Sequence, residues 1–101
     1  MIDHAEAVRR FAELGHDTRL SIFRLLVKGG LQGLNVGEIQ QHLSIPGSTL
    51  SHHISRLMAA NLVTQERRGR ELICRANLEA TDELMGFLSA ECCSLETSDS
   101  D

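Results

Sequence analysis

Apolar residues recur at helical spacing in successive runs up to residue 60, then switch to strand spacing. Residues 4–14 set Ala5, Val8, Phe11, Ala12 and Leu14 on a helical period that stops near Gly15, which predicts a short, moderately amphipathic helix. Asp17 or Thr18 can cap a second helix whose Leu20, Ile22, Phe23, Leu25, Leu26 and Val27 leave little polar circumference, a pattern suited to the centre of a domain. It stops at Lys28-Gly29-Gly30, and Leu31 to Leu34 reads as a connection. Asn35 and Glu38 form a capping-box-like pair that opens a third helix with Val36, Ile39 and Leu43 inward. After a break at Ser44-Ile45-Pro46, Pro46-Gly47-Ser48-Thr49 reads as a turn and the start of a fourth helix, with Leu50, Ile54, Leu57 and Met58 on one face. Beyond Asn61, residues 62–66 and 71–75 read as strands joined by Arg67-Arg68-Gly69-Arg70. Residues 79–93 return to a helical period through Thr81, Leu84, Met85, Leu88 and Cys92. The predicted fold is mainly α with a small β-hairpin, in the order α-α-α-α-β-β-α. It comprises one domain over residues 1–93 and a disordered acidic tail over 94–101.

Composition alters this picture mainly through charge. The chain of 101 residues carries a formal net charge of −4, which on its own disfavours nucleic acid. The distribution reverses that reading. Residues 47–75 hold Arg56, Arg67, Arg68, Arg70 and Arg75 against Glu66 and Glu71, whereas residues 76–101 hold no Lys or Arg and seven acids. The positive charge is concentrated where the fourth helix and the hairpin lie. No stretch approaches the roughly 18 apolar residues of a membrane span, and no apolar run precedes the charges of residues 1–10, so a cytoplasmic protein is expected. There the three cysteines are expected as free thiols.

The fourth helix turns Ser48, Thr49, His52, Ser55 and Arg56 outward, with Ser51 in the same stretch, while His53 falls among Leu50, Ile54 and Leu57 and is expected as a hydrogen-bonded core residue. Such an outward face suits a DNA groove, although water would suit it too. Three arginines at one turn are not required by the packing of a small domain, and phosphates reward them. The spacing of the third and fourth helices is that of a helix-turn-helix. His4, His16 and His42 read as isolated surface residues. Cys92-Cys93 sets two soft thiolates side by side, able to chelate a thiophilic ion, which favours a sensing role over the alternative that Cys92 continues the apolar face of the last helix. No Gly-rich phosphate loop, Cys-x-x-Cys pair or local nucleophile-and-base grouping supports an enzyme.

Leu14-Gly15-His16-Asp17-Thr18-Arg19-Leu20-Ser21-Ile22, Leu50-Ser51-His52-His53-Ile54-Ser55-Arg56-Leu57, Ala60-Asn61-Leu62-Val63 and Arg68-Gly69-Arg70 with Arg75-Ala76-Asn77 together resemble the ArsR/SmtB family of winged-helix repressors over residues 4–93. The resemblance implies a winged helix-turn-helix homodimer joined through its first and last helices. It implies binding to double-stranded operator DNA with an inverted repeat, and release by an inducer, with no cofactor required. DNA contacts then fall to Ser48, Thr49, Ser51, His52, Ser55, Arg56, Arg67, Arg68 and Arg70. The family's Cys-x-Cys site in the third helix is absent, since residues 35–39 contain no cysteine, and residues 79–93 contain no histidine for a zinc site. Cys92-Cys93 resembles the pair of arsenite-responsive members, implying As(III) or Sb(III) as inducer. A third ligand, which those members supply from a later cysteine, would have to come from Cys74, the partner chain, water or an added thiol. A redox- or persulfide-responsive repressor and a winged-helix module that binds protein are the alternatives.

Overall fold

The computed structural model describes residues 1–96. Helix α1 (His4–Leu14) is opened by Asp3, whose carboxylate accepts from the Glu6 amide at 2.8 Å. Helix α2 (Asp17–Gly29) is capped by His16 rather than by Asp17 or Thr18: the imidazole Nδ1 accepts from the Thr18 amide at 3.2 Å. A 3₁₀ turn (Gly30–Gln32) leads into a two-residue strand β1 (Leu34–Asn35), and α3 follows at Val36–Leu43. The expected capping box is present, with Asn35 and Glu38 each accepting from the other's backbone amide. Ser44 takes a left-handed conformation at φ 54°, and the Gln40 side-chain Nε2 donates to the Ile45 carbonyl at 3.2 Å, which helps to fix the turn into α4 (Gly47–Ala59).

Strands β2 (Val63–Arg68) and β3 (Glu71–Ala76) form the hairpin, and α5 (Leu78–Ser89) closes the described fold. The sheet has three strands in the order β1-β3-β2, all antiparallel, so the expected hairpin gains an extra strand. Strand β1 occupies the end of the supposed Leu31–Leu34 connection and its continuation. Its approach to β3 requires Gly33: at φ 74°, a Cβ there would sit 2.7 Å from the Cys74 carbonyl oxygen. Arg75 reinforces the join, donating to the Leu31 carbonyl at 2.7 Å and to Glu66 at 2.8 Å.

The core is aliphatic. Ile22, Leu26, Ile39, Leu50, Leu57 and Leu62 are fully buried, joining α2, α3, α4 and the root of the hairpin around one cluster. Met58, expected on the inner face of α4, is instead exposed, whereas His53 takes the buried place expected of it. In α1 the buried residues are Ala7 and Arg10, leaving Val8 and Phe11 outside. Arg10 is 4% exposed and donates to the Ala80 carbonyl, Glu83 and Glu6, tying α1 to α5. No helix among the described residues is long and apolar enough to cross a membrane.

Candidate nucleic-acid interface

Helix α4 separates its chemistry cleanly. Leu50, His53, Ile54 and Leu57 are buried, and Ser48, Thr49, Ser51, His52, Ser55 and Arg56 are all exposed. The hairpin adds Arg67, Arg68 and Arg70, also exposed. Its turn is tighter than the sequence suggested. Arg68 pairs with Glu71, so Arg67 and Arg68 belong to β2 and only Gly69 and Arg70 make the turn. Gly69 carries the positive φ of 64° that a two-residue hairpin loop demands.

Strand alternation divides the arginines. Arg68 shares a face with Glu66 and lies 3.6 Å from it, while Glu66 is bound more closely by Arg75 at 2.8 Å, which holds its carboxyl below the usual range. Arg70 opens onto a cleft of about 470 Å³ between the start of α3, the flank of α4 and the hairpin. Ser51, Ser55, Gln65 and Glu71 line it as well, so part of the outward face of α4 and the turn of the wing share one concavity. Arg67 and Arg70 make no ion pair among the described residues.

Arg56 is in a different state. Its Nε and Nη2 donate to the two carboxylate oxygens of Glu13 on α1, at 3.1 and 3.0 Å. Glu13 also receives Arg19, whose Nε lies 3.2 Å from its carboxylate and donates to its backbone carbonyl at 2.8 Å. Arg19 is 8% exposed, and its Nη1 lies 3.2 Å from His53 Nδ1. With a guanidinium as donor, Nδ1 must be the acceptor, so the neutral ring carries its proton on Nε2. Burial, followed by the nearby His16, Arg19, His52 and Arg56, lowers the His53 pKa from its ordinary 6.5. His16 is exposed, as expected of a surface residue, yet its ring lies 4.8 Å from that of His53, which brings it beside this group. Sequence reasoning missed Glu13 and Arg19. The available signal was an arginine beside the most apolar run of the chain, a charge that needs a partner once buried.

The cysteines fall in two environments. Cys92 and Cys93 are exposed, with their sulfurs 3.2 Å apart. Because α5 ends at Ser89, they lie in turns beyond the helix, and Cys92 does not continue its apolar face. The neighbouring Glu96 carboxylate, then Cys92, push the Cys93 thiol pKa up. Cys74 is fully buried in the core cluster, and its sulfur receives the Gln65 amide at 3.5 Å. Burial raises its pKa, so neither position nor ionisation suits it to be a third ligand for an exposed pair in the same chain. Among the described residues, no three or more His, Cys, Asp or Glu side chains gather in a way that could hold a metal ion. Of the supposed tail 94–101, residues 97–101 lie outside the described residues.

A family model described as a helix-turn-helix domain matches residues 14–66. Among solved structures, the chain is similar to an ArsR-like transcriptional regulator from Rhodococcus sp. RHA1, with 25% identity, coverage of 85% of this chain and 78% of that one, and a TM-score of 0.73. It is similar also to the transcriptional repressor PagR of Bacillus anthracis, at 26% identity, 83% and 93% coverage and a TM-score of 0.69. The transcriptional repressor BigR from Xylella fastidiosa matches at 26% identity, 88% coverage of each chain and a TM-score of 0.69. No curated protein sequence matches the chain.

Proposed function

This chain belongs to the ArsR/SmtB family of winged helix-turn-helix regulators, and from that premise we propose that it is a dimeric repressor whose hold on operator DNA is released at the Cys92-Cys93 pair. The observation that carries the DNA reading is the segregation of α4: an apolar inner stripe seated in the core, and an outer face of hydroxyls, His52 and Arg56 beside an arginine-bearing wing. In this reading Ser48, Thr49, His52 and Arg56 face base edges, Ser51 and Ser55 border the groove, and Arg67, Arg68 and Arg70 take the flanking phosphates. Dimerisation is supported by the apolar side chains left outside on the terminal helices, namely Val8 and Phe11 of α1 with Leu78, Met85 and Leu88 of α5. Two-fold symmetry then gives an inverted-repeat operator with half-sites about one helical turn apart, or a multiple of that.

Two exposed sulfurs at 3.2 Å suit a thiophilic ligand that bridges them. With arsenite, two S–As bonds form, two As–O bonds break and two waters leave, the thiol protons departing with the hydroxyls. The third position on arsenic stays with hydroxide or an added thiol, since Cys74 is enclosed in the core. The same proximity favours a second reading, in which a peroxide takes two electrons and two protons from the pair to form a disulfide and is itself reduced. Fluorescence anisotropy on the DNA upstream of the protein's own gene tests both, using the reduced protein beside a Cys92→Ser/Cys93→Ser variant. Release of the wild type by arsenite, with the variant still bound, is the expected result. Release by peroxide alone transfers the assignment to the redox reading, and release of neither protein by either reagent removes the pair from the mechanism.

A further inference from the structure

A recognition helix that presents one arginine to DNA gains most if that arginine is free, yet here it is occupied. Arg56 is the sole Lys or Arg of α4, and both carboxylate oxygens of Glu13 receive it, at 3.1 and 3.0 Å. The two cations on Glu13 are not equivalent. The Arg19 side chain is 10% exposed and fixed by the Glu13 backbone carbonyl and His53, so it stays, whereas the Arg56 side chain is 51% exposed and can leave. A departing Arg56 therefore does not strand Glu13, which keeps Arg19.

We propose that Glu13 is a specificity-determining residue: it withholds Arg56 from DNA of arbitrary sequence, and Arg56 transfers from Glu13 to the duplex only where α4 is seated in a matching groove. The inference rests on the DNA-binding reading above. A free surface cation neutralises a phosphate whatever the sequence, adding to non-specific and specific binding alike. A guanidinium held bidentately by a carboxylate has its best-aligned donors engaged and its charge compensated, so it adds little to a loose encounter. Only a close, correctly oriented partner replaces the carboxylate. The wing supplies the general attraction through Arg67 and Arg70, which have no ion pair among the described residues. The helix that reads sequence contributes no free cation to it.

Glu13→Gln tests this, because it keeps the side chain's length and a carbonyl acceptor for Arg19 while removing the charge. Binding is measured against salt on a duplex selected by the wild-type protein from a random library, and on a scrambled duplex. On the scrambled duplex the variant binds about two- to fivefold tighter. Its plot of log K against log salt steepens by about 1.8 for the dimer, the signature of one more phosphate neutralised by each protomer. The selected duplex changes less, so the ratio of the two affinities falls. With Arg56→Ala in the background, Glu13→Gln has no such effect. Equal weakening on both duplexes, no change on either, or the full effect persisting without Arg56 overturns the proposal.

Should Glu13→Gln fail to fold by thermal melting, the wild type still answers through the Arg56 Nε–H resonance. This resonance stays at its free-protein position on the scrambled duplex and moves on the selected one; the same position on both overturns the proposal. A wild type that binds no duplex ends the DNA reading and this one together, whereas a wild type that selects a duplex while Glu13→Gln changes nothing ends only this one.

Discussion

The outward face of α4 and the tip of the hairpin carry arginine in opposite circumstances. Arg56 is clasped by Glu13, and its helix rests on a fully buried stripe through Leu50 and Leu57. Arg67 and Arg70 stand without an ion pair among the described residues, on a ribbon whose far end has no core beneath it. A surface that must distinguish sequences needs fixed positions and few indiscriminate charges, whereas one that needs only to attract DNA can be mobile and positive. The two halves of the interface differ accordingly.

The largest effect expected from breaking this contrast comes from removing the seat of α4. Leu57→Ala deletes fully buried methyl groups and should cost about 2–5 kcal/mol of stability in denaturant unfolding, with loss of DNA binding following from loss of the fold. Arg67→Ala/Arg68→Ala/Arg70→Ala should leave stability almost untouched. It should weaken scrambled and selected duplexes together and flatten the dimer's salt slope by about 5.4, or about 0.9 for each phosphate that the three arginines of each protomer no longer neutralise. A loss confined to the selected duplex would erase the distinction between wing and helix.

The smallest effect is on pH. The folded His53 has a lowered pKa, so the unfolded chain takes up that proton first. Stability is therefore fully present above about 6.5 and declines as pH falls through that value toward the folded pKa. Thermal melts between pH 8 and about pH 5 should show this decline, and His53→Gln should lessen it. His16 and His52 lie beside His53, with Arg19 in contact, so the comparison must be made against the wild type at each pH.

The elements with the strongest periodicity are legible in the amino-acid sequence alone. The α4 stripe, the capping box at Asn35 and the hairpin each rest on residues within a few positions of one another. What escapes such a reading is non-local or too short to show a period. Strand β1 spans two residues and exists because Gly33 lets it reach β3. The clasp on Arg56 joins residues 13 and 56, and no spacing rule announces it. The end of α5 falls earlier than the helical period implies, and the sequence does not announce it, since residues 90–93 carry no breaker such as Gly or Pro. Near that end the Ser89 hydroxyl donates to the Met85 carbonyl at 3.3 Å, a side-chain bond that competes with the helix's own, and positive φ at Glu91 and Cys93 turns the chain away.

Arg10 gives α1 a mechanical role. The helix that carries Glu13 to α4 is also pinned to α5 one turn earlier, by a buried guanidinium that donates to the Ala80 carbonyl at 2.9 Å and to Glu83 at 3.1 Å. The two anchorages are separated by about 4.5 Å of helical rise, too short a lever for the rod between them to bend. A movement of α5 that keeps the Arg10 bonds would carry α1 with it, so the hold of Glu13 on Arg56 is expected to respond to the opposite end of the chain.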